Sequence, residues 1–221
     1  MGITEAEEVL FEHWSEGNNS FVKDGVVDAQ AFEMASPSVL FLLKEVNDPG
    51  PDGGGWDLRK FLREGARPAT WDNVCRWLRG INNLPDDIPW SELTNVTAAN
   101  SAEILASIAA MNMKKSPGGY TTDVPAFWGA VRKDAEFLRE QFSLYSADLV
   151  ICCGSVVSDV FKAFMKPKSA SGWKTTQRGV EFLEYTSGRY VIAYSHPEAR
   201  VSDNLLHYGL MDAIREIRDA V

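Results

Sequence analysis

Four short apolar runs dominate what this chain can fold into: Val39–Leu43, Ile108–Met113, Asp148–Cys153 and Tyr190–Tyr194. Within each run apolar residues follow one another instead of alternating with polar ones, the pattern of parallel strands covered on both faces. Helical patterns separate them, at Thr4–Trp14 and at about residues 57–64, 71–80, 99–106, 126–142, 156–164 and 204–220. Helices alternating with buried strands predict an α/β fold, a three-layer α/β/α sandwich around a mostly parallel, four-stranded central sheet. Val180–Tyr185 reads as the hairpin partner of the last run, turning at Ser187-Gly188. At 221 residues and 45 % hydrophobic the chain can bury a full core, and no linker divides it, so one domain is expected. Residues 1–33 read as an acidic, helical N-terminal extension of that domain, its carboxylates a solvated face.

Three of the runs stop at polar groups. The last is Tyr190-Val191-Ile192-Ala193-Tyr194-Ser195-His196-Pro197-Glu198-Ala199-Arg200. It sets a titratable imidazole at the C-terminal edge of the sheet, where open α/β sheets bind ligands. The other two histidines, His13 and His207, fall within helical patterns. The first run ends in Lys44-Glu45-Val46-Asn47-Asp48-Pro49-Gly50-Pro51-Asp52-Gly53-Gly54-Gly55-Trp56, charged residues followed by a loop whose glycines let backbone approach a partner closely. The second ends at Asn112-Met113-Lys114-Lys115-Ser116-Pro117. Each polar end also has a purely structural reading: a strand-end histidine, a turn-capping Asn112, or Glu45 paired with Lys44 or Lys115. Trp56 is equally a core aromatic.

Several classes of protein are excluded or disfavoured. A net charge of −9 opposes general nucleic-acid binding, which needs Lys and Arg at phosphates. The charge is unevenly spread, however. Met1–Glu33 holds eight acidic residues and one lysine, whereas Lys162–Arg178 holds four lysines, one arginine and no acid. Cys75, Cys152 and Cys153 form neither a disulfide framework nor a metal clip, so no metal, no iron–sulfur cluster and a reducing, cytoplasmic setting are expected. No apolar run approaches the roughly 20 residues that cross a bilayer, and the acidic start is the wrong sign for a secretory leader. The dinucleotide, P-loop and GxSxG spacings are all missing, so no cofactor is expected and Ser155 is a poor nucleophile.

By order and type, the strand-end groups resemble the uracil-DNA glycosylase superfamily, in which an acidic or amide-bearing first motif (GQDPY or GEAPG), a base-reading asparagine and an HPS motif end successive strands. His196-Pro197-Glu198 matches the HP of the last motif but not its serine. Asn112 and Lys115 match the asparagine and later lysine of a TNVVKCRP-like stretch. Leu149–Ser155, with Gly154 and Ser155 at the strand–helix turn, is similar to the segment preceding the HPS strand. The first motif admits two alignments: Glu45 on the glutamate of GEAPG, or Asn47-Asp48-Pro49 on the QDP triplet. Gly53-Gly54-Gly55-Trp56 fits the context of the base-stacking aromatic, with Phe61 the alternative, and Arg200 lies where the minor-groove wedge would sit.

The resemblance implies Glu45, Asn47, Asp48 and His196 as catalytic residues, and Trp56, Asn112, Lys115, Gly154, Ser155 and Arg200 as substrate contacts. The partner it implies is DNA carrying a modified base. Base excision asks for these groups on chemical grounds. A carboxylate stabilises the oxocarbenium-like sugar or orients water, and a histidine hydrogen-bonds the departing base anion. An asparagine amide donates and accepts at once, and the base must first be flipped from the duplex. Two classes therefore stand: a glycosylase of uracil or another damaged base, and an inactive glycosylase-like module that binds nucleic acid or protein. The sequence carries no signal for an oligomeric state.

Overall fold

In the computed structural model the apolar runs become the parallel middle of a larger sheet. It describes residues 1–48, 52–66, 68–119, 121 and 123–219. In chain order the elements are α1 (Ile3–Trp14), β1 (Gly25–Val26), α2 (Ala29–Met34), β2 (Val39–Leu43), α3 (Leu58–Arg63), α4 (Pro68–Asn83), α5 (Trp90–Leu93), α6 (Ala98–Leu105) and β3 (Ile108–Asn112). They continue with α7 (Val124–Lys133), α8 (Ala135–Tyr145), β4 (Leu149–Cys153), α9 (Ser155–Val160), a π-helical turn (Phe161–Met165), β5 (Lys174–Thr175), β6 (Glu181–Thr186), β7 (Arg189–Tyr194) and α10 (Asp203–Asp219).

Among the described residues the sheet has seven strands in the order β1-β3-β2-β4-β7-β6-β5, not four. Pairing is parallel across β3, β2, β4 and β7. At the edges β1 is antiparallel to β3, and β6 is antiparallel to both β7 and β5. The three added strands are β6, expected as the hairpin partner of the last run, and the two-residue strands β1 and β5, too short to leave a hydrophobic pattern.

Alternate residues of each central strand enter different cores, because successive side chains point to opposite faces. Val39, Phe41 and Leu43 join a cluster with Trp77 and Leu78 of α4 and Leu210 and Ile214 of α10. Leu40 and Leu42 join one with Phe11 of α1, Leu138 of α8 and Val160 of α9. Both faces of the sheet are thus covered by helices, which is why these strands read as unbroken apolar runs.

Two further expectations are corrected. Residues 1–33 are not an extension: β1 pairs with β3 (Gly25 opposite Ala110), and Leu10, Phe11 and Trp14 of α1 are buried. Nor are their carboxylates all solvated. Glu7 is fully buried, accepting from the Val26 backbone N–H at 2.8 Å and from Arg59 at 2.8 Å. The single helix expected at 126–142 is two helices, parted at Asp134 where the backbone (φ −98°, ψ 10°) leaves helical values. Ala220, expected to end the last helix, lies outside the described residues. Among those described, no helix is long and apolar enough to cross a membrane, and all three cysteines are free and buried.

Candidate active site

The strand order brings the three polar strand ends together. In the parallel block β3-β2-β4-β7, the chain steps from β2 outward to β3 and then back past β2 to β4, so the sheet reverses direction beside β2. Ligands of open α/β sheets bind at such a reversal, beyond the carboxyl ends of the strands. A cavity of about 500 Å³ lies there, walled by Glu45, Asn47 and Asp48 after β2, Asn112 at the end of β3, His196 after β7, and the rings of Trp56, Phe61 and Trp71. The β2–β3 ladder continues past both strands, with Lys114 N–H donating to Lys44 C=O (3.0 Å), Gly118 N–H to Val46 C=O (2.8 Å) and Asp48 N–H to Gly118 C=O (3.2 Å). That extension ties the Lys44–Asp48 segment to the chain that follows β3.

The two carboxylates of the first motif sit in different surroundings. Glu45 is paired with Lys114 at 2.5 Å, and Lys115 is paired with Asp24 instead. Its carboxyl group lies so close over Gly118 that a Cβ there would be 2.3 Å from Glu45 Cδ. Asp48 instead organises the glycine loop: its Oδ2 accepts from Gly54 N–H (2.9 Å) and from Trp56 Nε1 (3.0 Å). Those two donors hold the Asp48 carboxyl below its ordinary value, so it is charged at neutral pH. Gly54 (φ +91°) packs on the Ser20 carbonyl, which a Cβ would meet at 2.2 Å. Lys23 brackets the far end, donating its N–H to Trp56 C=O (3.1 Å) and accepting from Leu58 N–H (2.8 Å). Trp56 and Phe61 are in ring contact, centroids 5.9 Å apart, so the two candidate stacking aromatics form one wall. Asn47 is exposed at the rim, and Pro49, the third residue of the alternative alignment, lies outside the described residues with Gly50 and Pro51.

His196 is set by its own loop and by α4. Its Nδ1 accepts from Glu198 N–H at 3.0 Å, so the neutral ring carries its proton on Nε2. Burial lowers its pKa, with Lys44 adding to the effect and Glu198 opposing it. The imidazole is therefore a neutral donor at physiological pH. From α4, Asn73 Nδ2 donates to Pro197 C=O (2.8 Å) and Thr70 Oγ1 donates to Glu198. Gly154 (φ +102°) supports the loop from behind, its N–H on Tyr194 C=O at 2.8 Å and its missing Cβ 3.9 Å from that of His196.

Asn112 is almost wholly buried, and its partner is a residue that the strand-end pattern did not single out. Asp24 Oδ2 accepts from both the backbone N–H (2.7 Å) and Nδ2 (3.2 Å) of Asn112. The signal was a charged pair, Lys23-Asp24, inside the otherwise apolar stretch Phe21-Val22-Lys23-Asp24-Gly25-Val26-Val27. Lys115 is not a cavity residue. Its Nζ is buried against Asp24 (2.6 and 2.8 Å) and over the Trp14 ring (4.9 Å), where burial lowers its pKa.

Gly154, Ser155 and Arg200 are likewise off the cavity wall, the last two exposed. Nor does the basic segment 162–178 reach it: Lys162 pairs with Glu181 at 2.8 Å, Arg178 with Asp212, and Ser171 N–H bonds Glu184 C=O along the far edge of the sheet. Among the described residues no cluster of three or more His, Cys, Asp or Glu has metal-binding spacing. The sequence matches no protein-family model, and comparison with curated proteins returns no similar sequence.

Proposed function

We propose that this chain is a DNA glycosylase-like hydrolase that cleaves the N-glycosidic bond of uracil or another damaged base flipped into the cavity, as its resemblance to the uracil-DNA glycosylase superfamily implies. The observation that carries the reading is the convergence of a charged carboxylate (Asp48), a neutral imidazole donor (His196), a buried amide (Asn112) and an aromatic wall (Trp56, Phe61) on one base-sized cavity. In the proposed reaction the base stacks on Trp56 while the Asn112 amide meets its hydrogen-bonding edge. As the glycosidic bond breaks, its electron pair leaves with the base, and His196 Nε2–H stabilises the developing oxyanion. Asp48 stabilises the cationic sugar and orients the water whose oxygen bonds to the anomeric carbon. A proton from that water ends on the base. Glu45, neutralised by Lys114, serves the architecture. The proposed setting is the cytoplasm, and the partner DNA in which a damaged base is already weakly paired, since flipping costs a few kcal/mol.

One observation favours the second reading, an inactive binding module: the basic segment 162–178 points away from the cavity, leaving exposed Arg200 as the cation nearest the His196 loop in sequence. Incubation with single- and double-stranded oligonucleotides containing uracil, hypoxanthine or xanthine separates the two. The glycosylase reading expects free base and alkali-labile abasic sites from at least one substrate. Salt-sensitive binding without cleavage of any of them would leave only the module.

A further inference from the structure

The aromatic wall of the cavity is carried on a segment too short to hold itself in place. Trp56 precedes α3, and Leu58 and Phe61, one turn apart on the same face of that helix, line the cavity beside it. A helix of six residues is marginal alone, so tertiary contacts decide how it lies. Leu58 and Leu62 bury it in the core, but apolar burial has no direction. Direction comes from Arg59, which is 5 % exposed and donates to carboxylates through all three of its guanidinium nitrogens. Nη1 donates to Glu7 at 2.8 Å, Nη2 to Glu8 at 2.5 Å and to Asp57 at 2.7 Å, and Nε to Asp57 at 2.9 Å. Glu7 and Glu8 belong to α1. Glu7 is itself fixed by the Val26 N–H at 2.8 Å and fills the space that a Cβ on Gly25 would take, 1.9 Å from its Oε1. Lys23 completes the clamp: its backbone brackets Trp56 and Leu58, and its Nζ bonds Glu8 at 2.5 Å.

We propose that Arg59 is a positioning residue that fixes the Trp56–Phe61 wall through Glu7 and Glu8, so that the N-terminal helix governs how well the cavity stacks its ligand. A planar guanidinium bonded on three sides holds one angle, which a point charge does not. Tilting the segment would part Trp56 Nε1 from Asp48 Oδ2, now 3.0 Å away, and open the wall. The other cavity groups have their own supports. Asp48 keeps the Gly54 N–H and its bond to Gly118, Asn112 ends β3, and His196 is held by its loop and α4. Loss of the Arg59 clamp therefore falls on ligand stacking more than on the bond-breaking step. That the stacked ligand is a flipped base rests on the glycosylase reading; the hold of Arg59 on the wall does not.

Two variants and two readouts test this. Arg59→Lys keeps a positive charge beside Glu7 but loses the planar fork. Should it fail to fold, Glu7→Gln/Arg59→Met removes the buried carboxylate and the cation together, a replacement that buried ion pairs often tolerate. In that variant Glu8 keeps Lys23, and Asp57 keeps the backbone N–H of residue 59. The first readout is hydrogen exchange of the indole N–H groups in ¹⁵N-labelled protein, with Trp56 and the core residue Trp77 assigned by the signals lost in Trp56→Phe and Trp77→Phe. Each variant should speed exchange at Trp56 by about ten-fold or more, the worth of one hydrogen bond to a charged group, and leave Trp77 unchanged. Unchanged exchange at Trp56 in a folded variant, or equal acceleration of both indoles, overturns the proposal. The second readout is steady-state excision from oligonucleotides containing uracil, hypoxanthine or xanthine. On any substrate that is cleaved, KM should rise by about ten-fold, the order of one base–aromatic stack, with kcat little changed. A KM equal to that of the wild type overturns the proposal. A wild type that cleaves none of them, while Trp56 exchange responds as expected, refutes the glycosylase reading and upholds the role of Arg59, so the two failures are distinguishable.

Discussion

Replacing His207 with leucine is expected to make the protein more resistant to acid. His207 lies on α10 with 1 % of its surface exposed, its ring between Trp90 and Tyr208 (centroids 6.3 and 4.9 Å away) and pressed on Gly80 of α4. Neither ring nitrogen has a hydrogen-bond partner among the described residues. Burial pushes its pKa from 6.5 down to about 4, offset only in part by the Asp87 carboxylate. The folded state therefore resists a proton that the unfolded chain accepts. The associated stability is complete above pH 6.5 and drains away as pH falls through 4. With those two values, linkage gives a loss of about 2 kcal/mol by pH 5 and about 3 kcal/mol by pH 4. Urea unfolding of wild type and His207→Leu at pH 7, 5 and 4 measures it. The double difference is the quantity to read, because carboxylates common to both proteins cancel. A stability difference that stays within about 0.5 kcal/mol from pH 7 to 4, well below the linkage value, would refute the argument.

Glu7 should act in the opposite sense. Burial raises its pKa to about 7 despite Val26 N–H and Arg59, so its contribution is complete below pH 4.5 and lost as pH rises through 7. Glu7→Gln should accordingly be best tolerated at neutral pH, and its cost in urea unfolding should grow toward pH 4.5. If excision is detected, His196→Ala should lower turnover by roughly a hundred-fold or more without moving the unfolding midpoint, as loss of an oxyanion donor does. In the same single-turnover assay Asp48→Asn should cost far more than Glu45→Gln, because Glu45 is already neutralised by Lys114; the reverse order would reassign the first motif. Gly54→Ala, at φ +91° and with its Cβ 2.2 Å from the Ser20 carbonyl oxygen, should lower stability by about 1–3 kcal/mol through overpacking, visible as a drop in Tm.

The middle of the sheet was legible because burial on both faces writes itself into consecutive residues: Val39–Leu43, Ile108–Asn112 and Leu149–Cys153 are each buried at every position. So was the meeting of Asn112 and His196, since parallel strands of similar length end on one edge. The two-residue strand Gly25–Val26 was not, as its pairing exists only through Ala109 and Ala110 of β3. The partner of Asn112 was equally hidden. Asp24 is 88 residues from Asn112, 91 from Lys115 and 117 from Gln141.

Lys114 and Lys115 mark the limit most clearly. Both follow the same strand, and neighbouring side chains at a strand end point to opposite sides. The alternation says that one faces the cavity and the other the helices, but the letters do not say which. Tertiary structure decided it, by placing the fully buried carboxylate of Asp24 on one side and Glu45 at the cavity wall on the other. The sequence by itself determined which segments would be strands and which end of them would carry polar groups, because those properties depend on local burial pattern. Which polar groups touch, which charges cancel and which amide is held depended on contacts between distant segments, and these formed only when the sheet closed.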